Sequence, residues 1–138
     1  MRLRIIKVLL WLVCVTHLGM GIAGVVSPSL AQQVAKSFYG AQLEATPAAI
    51  HLVRIIGAYM IAVGVLGFVA ARDPEKYRAI IVAVAILLAV RVAQRLVFAE
   101  EVQQTFGISA ARIWFQSAYF AVLAGALLYL MPKRKSVA

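Results

Sequence analysis

Four arginines, Arg54, Arg91, Arg95 and Arg112, stand inside long apolar stretches of a 138-residue chain. Within a bilayer, a charge at mid-depth costs roughly 2.5–3.5 kcal/mol even on a lenient insertion scale, so such positions are candidate functional sites. The guanidinium is a permanently charged planar fork that matches a carboxylate or phosphate bidentately. The chemistry these residues suggest is therefore the holding of an anion.

Spacing groups them with other polar residues. Arg91 and Arg95 are one helical turn apart with Gln94 between them, so the two arginines share a face. Arg112, Gln116 and Tyr119 recur at helical spacing, as do His51, Arg54 and Ala58, and His17 shares a face with Gly21 and Gly24. At about 1.5 Å of rise per residue, His51 and Arg54 lie roughly 6 and 10 Å inside their segment, and Arg95 and Arg91 roughly 7 and 13 Å inside theirs. Arg112, Gln116 and Tyr119 follow at roughly 4, 10 and 15 Å, and His17 at roughly 15 Å. If these stripes converge, they line one outward-opening pocket rich in positive charge and hydrogen-bond donors.

Long basic side chains near a segment end can instead snorkel to the membrane surface. That explanation suits Arg112 and, less well, Arg95, with Glu100 and Glu101 as neutralising neighbours; it fits Arg54 and Arg91 worst. The same end of the bundle holds Lys36 and only Glu44, Glu100 and Glu101 as acids, none within a spanning segment. Buried charges need partners. The missing anion is expected to be a phosphate, a carboxylate, a lipid headgroup or an acid on another subunit.

Two histidines raise a second possibility, haem b held by His17 and His51 with arginines on the propionates. Their depths differ by roughly 9 Å, which is awkward for a single iron. No intramembrane carboxylate pair, Cys/His metal spacing, phosphate-cradling glycine loop or nucleophile elbow occurs, so nothing points to an enzyme. Cys14 has no partner for an internal disulfide and reads as a small buried hydrophobe.

These residues need positioning elements. The chain is 64% hydrophobic, well above a soluble domain. The excess falls in residues 5–26, 47–71, 78–99 and 110–131, each long enough to cross a ~30 Å hydrocarbon core as a helix. The expectation is an all-α antiparallel bundle of four transmembrane helices forming a single domain over residues 1–138. A basic start followed by an apolar run resembles a signal peptide, with Ser29-Leu30-Ala31 as a cleavage site. The run exceeds the usual length, and a retained first helix is expected. Residues 28–38, with Leu30, Val34 and Phe38 at fourfold spacing, predict a short amphipathic helix on the outer surface. Tyr39-Gly40 breaks it, and Thr46-Pro47 starts the second span. Residues 102–108 read as an outer loop, and Ser109 as the N-cap of the last span. Glycines at 21, 24, 57, 64 and 67, and alanines at 85, 89 and 93, give the packing seams.

The net charge of +9 is arranged by topology rather than for nucleic acid. Arg2, Arg4 and Lys7, then Arg72, Lys76 and Arg78, then Lys133, Arg134 and Lys135 all fall on one side if the helices alternate. By the positive-inside rule both termini are cytoplasmic.

The pattern as a whole resembles the DoxX-like superfamily of small four-helix bacterial membrane proteins. The resemblance lies in Gly19–Gly24 before Pro28, in Arg54 with Gly57, Gly64 and Gly67, and in Arg91 and Arg95 before Gly107. It implies the bacterial inner membrane and, for some members, an auxiliary place beside redox partners. The acidic residue associated with the second helix of DoxX proper is not evident. The function expected is non-catalytic: binding an anionic or amphipathic small molecule or lipid, or serving as accessory subunit of a membrane complex. A quinone- or haem-linked electron-transfer subunit and an oligomeric transporter or channel are the alternatives.

Overall fold

The structure, a computed structural model, describes residues 1–42 and 44–132. The basic cluster of Lys133, Arg134 and Lys135 lies outside the described residues. The elements are α1 (Arg2–Val26), α2 (Pro28–Val34) continued by a π-helical turn (Ala35–Tyr39), α3 (Pro47–Arg72), α4 (Arg78–Val97), α5 (Ala99–Phe106) and α6 (Ala110–Leu130). Helices α1, α3, α4 and α6 are each long and apolar enough to cross a membrane, which makes this a multi-pass membrane protein. Large apolar side chains such as Val15, Tyr59, Val90, Phe115 and Val122 are exposed along these helices, where acyl chains would cover them.

Two helix pairs make the bundle. In the first, α1 lies on α3 along a glycine seam. A Cβ added at Gly21 would stand 2.7 Å from the Gly57 carbonyl oxygen, and one at Gly64 would strike Leu18 at 2.6 Å. Backbones approach this closely only without side chains between them, and in lipid such contact replaces the hydrophobic effect as the driving force. Gly21→Ala or Gly57→Ala should therefore lower stability by about 1–3 kcal/mol, the usual cost of overpacking. Gly19→Ala is the control, since its Cβ meets nothing within 4 Å. Thermal midpoints in detergent compare them; equal midpoints for Gly19→Ala and Gly21→Ala would remove the seam from the account.

In the second pair α4 packs on α6, and the four helices close around Ile6, Leu10, Val13, Ile81, Leu88, Phe120 and Leu127. The Arg2 guanidinium lies 5.6 Å from the Tyr129 ring, so α1 begins where α6 ends. The Asp73-Pro74 turn, in which Asp73 Oδ1 accepts from the Lys76 N–H at 3.1 Å, links α3 to α4 at that same end.

The opposite end is built differently. Thr46 Oγ1 accepts from the Ala49 N–H at 3.2 Å and starts α3 at Pro47, as expected. Ser27 caps α2 in the same way. The α2 face differs from the fourfold pattern by one residue. Ala31 and Ala35 are buried, while Leu30 and Phe38 are exposed. The small alanines let α2 lie close to the bundle, and a membrane imposes no penalty on the outward Leu30 and Phe38. Residues 102–108 also depart from expectation: most of that stretch belongs to α5, which ends at Gly107 in the left-handed region with φ 64°. Ala99, Val102 and Phe106 pack inward against Ile108 and Ile113, while Glu100, Glu101 and Gln104 face out. Ser109 stands at the N-cap of α6, but its side chain makes no capping hydrogen bond. The Gln42 N–H donates to the Phe106 carbonyl at 2.9 Å and ties the two outer connections together.

Candidate functional site

Core side chains fill the half of the bundle nearest the chain ends. Beneath α2 and α5 the helices instead enclose a cavity of about 460 Å³. This size falls within the ordinary range of ligand pockets, about 300–1,000 Å³. Leu52, Val53, Ile56 and Met60 of α3 form one wall, and Met20 of α1 adds to it. Val34, Ala35, Val102 and Phe106 roof it. Helix α4 forms the facing wall with Arg91, Gln94 and Arg95, and Tyr39 completes the polar lining. Among the described residues, no acidic side chain lines this space. Leu52 and Ile56 are 59% and 56% exposed and Gln94 is exposed as well, so the mouth lies between α3 and α4 on the bilayer side.

Tyr39 organises the polar wall. Arg91 Nη2 donates to the Tyr39 hydroxyl at 2.6 Å, and that hydroxyl donates to Met20 Sδ at 3.3 Å. The Arg91 guanidinium carbon lies 5.4 Å from the Tyr39 ring centre and 4.6 Å from that of Phe120. Arg95 stands over the same Tyr39 ring at 5.5 Å. Cation–π contacts partly satisfy charge but supply no hydrogen-bond acceptor. Arg95 is only 8% exposed, and its Nε has no acceptor among the described residues.

The π-helical turn is what aims Tyr39. Its last carbonyls have no partner within the helix. Arg112 Nη2 donates to the Ser37 carbonyl at 2.7 Å, and Gln116 Nε2 donates to the Phe38 carbonyl at 2.5 Å. Gly40 then turns the chain with φ 70°, and a Cβ there would also collide with Arg112 Nη1 at 2.6 Å. Arg112 and Gln116 thus hold the segment that carries Tyr39; neither lines the cavity.

The remaining residues expected to join the pocket do not. His51 and Arg54 are exposed on α3 and lie off the cavity wall. Helix α3 has 26 residues. At roughly 39 Å it outreaches a ~30 Å hydrocarbon core. With Arg72 marking one edge, Arg54 comes roughly 27 Å away, near the other edge, where it can meet headgroups. Tyr119 is exposed beside the Phe120 ring at 5.2 Å, away from the cavity. His17 is 4% exposed, and its Nδ1 donates to the Val13 carbonyl at 2.9 Å. Leu18 packs on Gly64 and Gly24 on Val53, which sets His17 well below His51. The two imidazoles are separated by at least ten residues of α3, roughly 15 Å of rise, so this donor pair does not fit a bis-histidine haem. Tyr39 is the residue that sequence reasoning missed. It looked like a helix breaker beside Gly40, and no spacing rule links it to α4.

Residues 5–106 match a family described as a domain of unknown function, DUF4345. The chain belongs to the DUF4345 family. No curated protein and no solved structure matches it. The stretch matched to DUF4345 runs from α1 through α5 and takes in Tyr39, Arg91, Gln94 and Arg95; α6, with Arg112 and Gln116, lies outside it.

Proposed function

We propose that this protein binds an amphipathic molecule with an anionic head, drawn laterally from the bilayer. The head meets Arg91 and Arg95, and the apolar part lies along Leu52, Val53, Ile56 and Met60 before leaving between α3 and α4. One observation carries the reading: Arg91 and the largely buried Arg95 both line a cavity that no acid lines among the described residues, and Arg95 Nε has no acceptor there. Each buried polar group of this kind calls for a partner. The mouth between exposed apolar side chains favours a ligand already dissolved in lipid over one arriving from water.

Filled packing in the other half of the bundle argues against a through-going path for ions or solutes. The arrangement of Arg2, Arg4, Lys7, Arg72, Lys76 and Arg78 at the chain-end side supports a cavity facing away from the cytoplasm. We propose likewise a bacterial inner-membrane location and kinship with DoxX-like proteins, on the glycine and arginine pattern. An accessory role in a larger complex is compatible with lipid binding and adds nothing to the chemistry of the cavity.

The test is headgroup selectivity at constant tail. Purified protein in nanodiscs of zwitterionic lipid is titrated with dodecyl phosphate and with dodecylphosphocholine. The anionic amphiphile should bind about tenfold tighter, the worth of one charge-assisted hydrogen bond. Equal affinities would sink the reading.

A further inference from the structure

We infer that the head this cavity selects is a phosphate monoester carrying two negative charges. This rests on the amphiphile-binding reading above and narrows it. Two observations point the same way, one of charge and one of donors.

Arg91 and Arg95 sit one turn apart on the same face of α4 and both stand over the Tyr39 ring. The rest of the wall is apolar apart from Tyr39 and Gln94. A single negative charge would leave one guanidinium uncompensated in these surroundings, which is costly. A phosphate monoester carries about −1.5 to −2 at pH 7 and neutralises both. The donor census agrees. Arg91 spends Nη2 on Tyr39, but the remaining guanidinium N–H groups of the two arginines and the Gln94 amide still line the cavity with several donors. Three terminal phosphate oxygens can accept from donors on both guanidinium groups at once, whereas a carboxylate offers two oxygens.

The matched probes are dodecyl phosphate and dodecyl sulfate. Both heads are tetrahedral and both tails identical; sulfate keeps one charge at every working pH. Each is used at sub-denaturing concentration in zwitterionic nanodiscs, competing with a dansyl-labelled alkyl phosphate. At pH 7.5 the phosphate should bind about tenfold tighter than the sulfate. At pH 5 the phosphate has passed below its second pKa of about 6 and is a monoanion, and the advantage should vanish. Inorganic phosphate should fail to displace the probe at concentrations where dodecyl phosphate does, because it lacks the apolar part. Arg91→Gln and Arg95→Gln should each erase the preference for phosphate over sulfate.

Equal binding of phosphate and sulfate at pH 7.5, both weakened by the arginine substitutions, would overturn the two-charge inference and leave the anionic-amphiphile reading standing. Binding of both that ignores the substitutions would remove both. Displacement by inorganic phosphate as potent as by the dodecyl ester would assign the site to free phosphate and overturn the lipid source. Should an arginine variant fail to fold, the wild-type comparison at the two pH values decides alone.

Discussion

Arg95→Met is expected to make the ligand-free protein more stable and the ligand-bound protein weaker in binding. Arg95 is nearly fully buried, and among the described residues its Nε lacks an acceptor and its charge is compensated by the Tyr39 ring 5.5 Å away. Exchanging a poorly compensated buried charge for an apolar side chain of similar length is commonly neutral or stabilising by about 1–4 kcal/mol. Methionine also keeps a favourable contact with the Tyr39 ring, worth about 0.3–1.5 kcal/mol. The same change deletes contacts to a charged head, worth about 1.5–3 kcal/mol, or about ten- to a hundredfold in affinity. The two effects separate in one thermal-unfolding series with and without dodecyl phosphate. Amphiphile at a hundred times the wild-type Kd adds about 2.7 kcal/mol to the native protein; after a hundredfold loss it adds only about 0.4 kcal/mol. The curves should therefore cross, the variant being the more stable when stripped and the less responsive when loaded. A stripped variant that unfolds at lower temperature than wild type would mean that Arg95 already has the partner it needs, and the cavity would lose its reason to hold an anion.

How far the sequence foretold this depends on which physical signal each residue carries. The four spans were legible because length and apolarity are sufficient when backbone hydrogen bonds must be satisfied within lipid. The α1–α3 seam was legible for a related reason: Gly21, Gly24, Gly57, Gly64 and Gly67 have no other use in helices that need no flexibility. The Arg91, Gln94 and Arg95 cluster was legible because three polar residues within about one turn of an apolar helix have no cheap place to go.

Azimuth was harder. In water the apolar stripe of a helix marks its inner face. In lipid both faces are apolar, so Leu30 and Phe38 drew attention while the small Ala31 and Ala35 made the contact. By the same ambiguity, helical spacing alone assigns Arg54 to the interior. Depth measured from Pro47 overlooked that α3 is longer than the hydrocarbon it crosses. Arg112 and Gln116 kept helical spacing with Tyr119, yet their donors go to main-chain carbonyls of the π-helical turn and not to a shared pocket. Hydrogen bonds between elements 75 and 78 residues apart leave no trace in local periodicity. Tyr39 belongs to the same category, since its partners Met20, Arg91 and Arg95 lie on two other helices.

Tyr39 also supplies the sharpest division between architecture and recognition, because its ring and its hydroxyl do different things. The hydroxyl accepts from Arg91 at 2.6 Å, and in the absence of an anion it is the acceptor this guanidinium has among the described residues. An anionic head competes for that same N–H. Tyr39→Phe keeps the ring under both arginines and removes the competitor. The stripped protein should lose about 1–3 kcal/mol, the cost of leaving a part-buried charged donor unmet. The loaded protein recovers most of that loss, because the ligand now meets Arg91 without displacing anything. By linkage, whatever the substitution costs the free state and not the bound state reappears as affinity, so dodecyl phosphate should bind about tenfold more tightly to Tyr39→Phe than to wild type. Tyr39→Ala removes the ring too. Both arginines then lose a cation–π contact of about 0.5–2 kcal/mol each, the roof above them opens, and stability and affinity should fall together. Opposite signs of the affinity change in the two variants are the expected result of titrating both with the same probe. A weaker-binding Tyr39→Phe would show instead that the phenol touches the head directly, as a donor that stays in place when the amphiphile enters.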